Sequence, residues 1–116
     1  MNEREFKGLT RRFALDVIKF VQRQPRNRTA DVIGRQLLRA GTSVGANYRA
    51  ACRARSRTEM AARLAVVEEE ADESIYWLEL LVDAGMVQPM KVEQLVSDAN
   101  QITAMVVAPI KTIRVR

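Results

Sequence analysis

The sequence predicts an all-α fold, an up-down-up-down antiparallel four-helix bundle, and three observations carry it. Apolar residues recur at steps of three and four through nearly the whole chain, which is the helical period. No stretch keeps the strict apolar–polar alternation of a half-buried strand, and no Asn-Gly or Asp-Gly turn occurs. The breaks between periodic segments are short, so neighbouring helices must run antiparallel. At 116 residues, 47% hydrophobic and 28% charged, the chain has the size and make-up of one domain. Residues 1–116 are read as that domain, with helices near 3–23, 29–54, 57–84 and 89–107.

The first helix carries Phe6, Leu9, Phe13, Val17 and Phe20 on one stripe and ends at Gln24-Pro25-Arg26-Asn27-Arg28, because proline cannot donate and disfavours helix in the residue before it. Thr29 is the expected cap of the second helix, with Asp31 in its first turn, where the helix dipole favours an anion. Its stripe is Ile33, Leu37, Ala40, Val44, Asn47 and Ala51. Ser56 and Glu59 have the spacing of a capping box for the third helix, whose stripe is Leu64, Val67, Ala71, Ser74, Leu78 and Leu81. Gly85 is a suitable stop. Pro89 suits the first turn of the fourth helix, and Val92, Leu95, Ala99, Ile102, Val106 and Ile110 form its apolar face. Pro109 predicts a kink or end near Val107.

Some residues exceed what one core requires. Gly34, Gly41 and Gly45 share a face of the second helix with Leu38 and Tyr48, and each interior glycine costs about 1 kcal/mol relative to alanine. Missing side chains there let another helix approach closely. Asn47 on the core stripe reads as a register-setting polar residue whose amide needs partners. The run from Ile75 to Val82 is apolar nearly all round. Tyr76, Trp77 and Leu80 are therefore expected at an oligomer interface, with cover by the chain's own loops and helix ends as the alternative.

The chain lacks histidine and has one cysteine, which excludes a Ser-His-Asp triad, a histidine zinc site and an internal disulfide. The acidic run Glu68, Glu69, Glu70, Asp72 and Glu73 lacks the histidines of bundle metal sites and reads as a solvated face. Cys52 has no histidine to activate it and reads as a small core residue. No catalytic residue, metal or cofactor is expected. Residues 1–22 carry eight charged side chains, which leaves no apolar signal segment. No run approaches a bilayer span, and the lone cysteine fits a reducing compartment. The expected location is the cytoplasm, without membrane contact.

Charge is the most informative feature. Residues 23–63 hold ten arginines against Asp31 and Glu59, a net of +8, whereas residues 64–100 hold nine acids against Lys91, a net of −8. Antiparallel helices bring the start of the first helix, the second connection and the end of the fourth helix to one pole. That pole gathers Arg4, Lys7, Arg53, Arg55, Arg57, Lys111, Arg114 and Arg116 against Glu3, Glu5 and Glu59, and with Arg49 these cations are the expected footprint for nucleic-acid phosphate. The alternative is that arginines of the second helix pair with the acids of the third.

The segment from Leu38 to Ser56 resembles a family of small four-helix bundles encoded within intervening sequences of bacterial large-subunit ribosomal RNA genes. The resemblance rests on Ser43 and Asn47 in the second helix and on Arg55, Ser56 and Glu59 at the opening of the third, and extends over about residues 6–108. Members often have glutamate where this chain has Ala50 and phenylalanine where it has Met60. The resemblance implies that the bundle assembles into a homo-oligomeric ring, commonly a pentamer, with no known enzymatic activity. The family is also similar in fold to the accessory variability protein of diversity-generating retroelements, a basic pentamer that binds nucleic acid and a reverse transcriptase. The expected function is thus non-enzymatic binding of RNA or DNA backbone by a self-associating bundle. The alternative is a protein–protein assembly module, partnered by itself, a reverse transcriptase or another protein, without nucleic acid.

Overall fold

A computed structural model describes the backbone of residues 1–115 and side chains through Ile113. Four α-helices follow in order, α1 (Glu3–Gln22), α2 (Arg28–Cys52), α3 (Arg57–Asp83) and α4 (Glu93–Val115), with one 3-10 turn at Pro89–Lys91 and no strand among the described residues. They form a rod 47 × 21 × 19 Å. The α2–α3 pairing is the most extensive and the α1–α4 seam the thinnest.

Helix starts follow from side-chain capping. Asn2 Oδ1 accepts from the Glu5 amide at 2.8 Å, satisfying an amide that the first turn leaves without a partner. Asn27, and not Thr29, caps α2, accepting from the Ala30 amide at 2.8 Å. Starting the helix there puts Ala30 in position to be buried, at 8% exposure. Ser56 Oγ accepts from the Glu59 amide at 3.0 Å, but the Glu59 carboxylate reaches back to the Arg55 amide, one residue before the cap itself. At the end of α3, Gly85 adopts φ 75°; its amide donates to Val82 O and the Met86 amide to Leu81 O. That left-handed closure favours glycine.

The expected start of α4 at Pro89 and its expected end near Val107 are corrected. Pro89 opens the short 3-10 turn, and the α-helix itself begins at Glu93. Pro109 neither ends nor bounds the helix, which runs through it to Val115. Proline in a helix interior costs about 3 kcal/mol. Burial of Ile110, at 7% exposure, returns about 1.5–3 kcal/mol, and Ile113 packs against the same core.

The stripes of α1, α3 and α4 are buried as the periodicity predicts, with Phe13, Val17, Val67, Leu78 and Ile102 fully enclosed. In α2, Leu37, Ala40, Val44 and Ala51 are buried, while Ile33 and Asn47 are half-exposed. Asn47 is thus not a core amide; its Nδ2 donates to Ser43 O within its own helix. Ser43 in turn donates to Arg39 O. Between α2 and α3, Arg39 bridges Glu70, at 3.0 Å, and Glu73, whose carboxylate also accepts from Trp77 Nε1. The pairing of arginines with acidic α3 therefore holds for Arg39.

The glycine face of α2 receives α1. A Cβ on Gly41 would lie 2.9 Å from Val17 Cγ2, and one on Gly34 3.2 Å from Val21 Cγ1. At Gly45 the nearest atom, Thr10 Oγ1, is 3.4 Å away, an ordinary contact. Gly41→Ala is expected to lower the melting temperature, because overpacking against a buried, β-branched valine costs about 1–3 kcal/mol. Gly45→Ala is expected to leave it unchanged or raise it by up to the helical preference of about 1 kcal/mol. Thermal unfolding followed by circular dichroism compares the two directly.

Candidate nucleic-acid interface

Reversal of the chain at each connection brings the start of α1 beside the end of α2, where the Phe6 and Tyr48 rings lie 4.5 Å apart. The start of α3 meets the end of α4, with Arg57 and Met60 sharing a groove with Pro109 and Ile113. The expected cations therefore collect at one end of the rod, but on two faces. Lys7, Arg49 and Arg53 line a groove of about 490 Å³ between α1 and α2. Arg57 lines the separate α3–α4 groove of about 460 Å³. Arg4, Arg55 and Lys111 are exposed and line neither groove. The side chain of Arg114 and the whole of Arg116 lie outside the described residues.

Arg11 also lines the α1–α2 groove, although reading helix ends alone did not point to it. Its signal is its spacing, four residues after Lys7, matched by Arg49 and Arg53 on the facing helix. Like charges at this spacing destabilise a helix by about 0.2–0.5 kcal/mol per pair. No carboxylate is among the described residues that line the groove. Lys7 has an exposed partner, Glu3, at 3.2 Å. Among the described residues, Arg4, Arg11, Arg49, Arg53, Arg55, Arg57 and Lys111 make no ion pair. The floor, between the cations, is Thr10, Ala14, Thr42, Gly45 and Ala46, all small residues. The hydroxyls of Thr10 and Thr42 already donate to Lys7 O and Leu38 O, which leaves the cations as the groove's free donors.

The opposite end differs. A shallow cavity of about 590 Å³ between α3 and α4 sets Glu79, Asp83 and Glu93 around Val82, Val92 and Val96. Of the residues expected at an oligomer interface, Tyr76 is 54% exposed. Leu80 is half-buried, whereas Trp77 packs partly against the chain's own core. Tyr76 and Trp77 stack edge to face at 5.1 Å. Among the described residues no cluster could hold a metal ion, and no helix is long and apolar enough to cross a membrane.

The profile of the 23S rRNA-intervening sequence protein family matches residues 4–108. The chain belongs to that family. A solved relative, a protein of unknown function from the S23 ribosomal protein family of Bacteroides thetaiotaomicron, is 31% identical, with a TM-score of 0.88. The match covers 96% of this chain and 99% of that one. No curated protein matches. The family's bundle is thus the frame that carries both grooves, and the motif residues Ser43, Asn47, Ser56 and Glu59 serve local helix bonding and capping in it.

Cys52 sits at this basic end, half-buried and not in the core. Burial pushes its thiol above the ordinary range, Glu3 adds to the rise, and Tyr48 and Lys7 oppose it. Burial and the neighbouring Cys52 likewise raise the Tyr48 phenol. A raised thiol holds its proton at pH values where the unfolded chain's thiol has ionised. Its contribution to stability is therefore lost as pH climbs past the unfolded value. Alkylation of native Cys52 by iodoacetamide is expected to be slower than that of a free thiol at pH 8, and to keep accelerating with pH after the free thiol levels off. Stopped-time mass spectrometry measures both profiles.

Proposed function

We propose that this member of the 23S rRNA-intervening sequence protein family is a non-enzymatic, self-associating bundle that binds the sugar–phosphate backbone of nucleic acid through its basic end. The observation that carries the reading is the convergence of Arg4, Lys7, Arg49, Arg53, Arg55, Arg57 and Lys111 from distant parts of the sequence onto one end. All but Lys7 are free of ion-pair partners among the described residues. Such a surface acts by releasing condensed counterions, a term independent of base sequence. Three aromatic residues of the Tyr and Trp type leave little to stack on bases, which favours backbone contact over base reading.

A second reading, a self-assembling adaptor without nucleic acid, is favoured by the exposed Tyr76 and the half-buried Leu80 on α3. The segregation of +8 and −8 segments along the sequence also suits head-to-tail association of copies. A pentameric ring and a reverse-transcriptase partner follow from the family resemblance and belong to the same proposal.

Fluorescence anisotropy with labelled mixed-sequence RNA and DNA tests the leading reading. Binding is expected at low salt, with log affinity falling linearly in log salt by about 0.9 per phosphate neutralised on duplex DNA. Arg49→Gln/Arg53→Gln is expected to weaken all sequences alike. Salt-insensitive binding, or none at low salt, removes the mechanism or the partner respectively. Light scattering on Tyr76→Glu separately reports whether that face holds copies together, a smaller particle being the expected result.

A further inference from the structure

The basic end has two faces, and their geometry is not equivalent. On the α3–α4 side, Arg57 is the one cation among the described residues that line its groove, beside the apolar Met60, Pro109 and Ile113. On the α1–α2 side, two cations from each helix line one trough. The approach of Gly45 to Thr10 fixes the register, setting Arg11 beside Gly45 and Ala46 and Lys7 beside Arg49. Arg53 lies one turn further toward the end of the rod. Each same-helix pair is separated by four residues, about 6 Å along the axis. The cations therefore line both walls of a trough that follows the helix axes, with no carboxylate among the described residues that line it.

The floor bears on the ligand. Ala14, Gly45 and Ala46 project almost nothing, so an anion can settle between the walls instead of resting on side-chain tips. Guanidinium forks suit the planar, bidentate capture of phosphate oxygens, and three of the four cations are arginine. A trough with four cations spread over its two walls fits a polyanionic strand better than an isolated ion.

Resting on the proposed nucleic-acid function, we propose that the α1–α2 groove seats the backbone of a nucleic-acid strand, with Lys7, Arg11, Arg49 and Arg53 as its phosphate ligands and Gly45 and Ala46 as its floor. The assignment makes Arg11 a binding residue and gives Ala46 a steric role. It also places the strand along the α1–α2 seam, away from the α3–α4 groove.

The test uses the full chain, anisotropy with labelled mixed-sequence RNA, and four variants. Arg11→Gln/Arg49→Gln is expected to make the salt dependence shallower by about one per cation removed. Arg35→Gln, on the groove at the other end with Arg26 and Asp31, is expected to leave it unchanged. Ala46→Leu keeps every charge and fills the floor, so it is expected to weaken binding where a diffuse cationic field would not notice it. Melting temperatures confirm that each variant folds. Wild-type affinity and slope retained by both Arg11→Gln/Arg49→Gln and Ala46→Leu would overturn the groove assignment. The general function survives that result if Arg55→Gln/Arg57→Gln loses binding. If the wild type retains no RNA at low salt, the function fails and the groove with it. Displacement of RNA by inorganic phosphate at matched ionic strength and stoichiometric concentration would instead identify a free phosphate site and overturn the strand.

Discussion

Short connections between long helices impose reversal of direction, and the remaining features of this molecule depend on that reversal. It makes the apolar stripes face one another, and it converts a linear charge pattern into a spatial one. Residue 53 lies far from residue 7 in sequence, yet both line one groove because α1 and α2 run in opposite senses. The same reversal puts Arg57 beside Pro109 and Ile113. Its tightest expression is the α1–α2 seam, where Gly41 meets Val17 and Gly45 meets Thr10. The glycines that let α1 settle into α2 also lower the floor of the basic groove, so one packing device shapes both the core and the surface above it.

Electrostatics divides along the rod according to whether a charge has a neighbour of opposite sign. Arg39 has two, Glu70 and Glu73, and the Glu73 carboxylate also holds the Trp77 indole. With Arg39 half exposed, such pairs contribute about 0–1 kcal/mol each and serve alignment of α2 with α3 more than stability. Among the described residues the groove cations other than Lys7 have no counterpart, so their repulsion is a net cost to the folded chain. A core built from alternating Phe, Val, Leu and Ile does not need that cost, which points to a constraint outside the fold. In the proposed complex the phosphate backbone would remove that repulsion.

The fold was almost wholly legible because the helical period acts on every buried position at once. The predicted stripes of α1, α3 and α4 are all buried. What periodicity leaves open is decided by competition between near-equals. Asn27 and Thr29 both suit a cap, and Asn27 is the one that caps α2. Pro109 carries a strong local stop signal, yet Ile110 and Ile113 remain on the packed stripe, and tertiary burial outweighs the broken ladder. Local propensity is a weak prior against a buried stripe. Asn47 occupies a core position in the pattern, but its amide finds a carbonyl four residues back and stays half-exposed.

The site was legible only to the resolution of helix ends. Assigning cations to a pole selects Lys7, Arg49 and Arg53 together with Arg4, Arg55, Arg57 and Lys111, but a pole has no inside. Which of these share a trough depends on the axial register of two helices, and the glycine contacts set that register. Once Gly45 is placed against Thr10, Arg11 falls opposite the gap left by Gly45 and Ala46. The apolar run of α3 resolves in the same way. Trp77 turns toward the chain's own core and anchors its nitrogen on Glu73, while Tyr76 remains outward. Sequence spacing thus identifies which side chains exceed the needs of the bundle, and register decides which of them meet. Here Arg11, Arg49 and Arg53, without ion-pair partners among the described residues, meet over a floor of small residues, an arrangement that the core does not require.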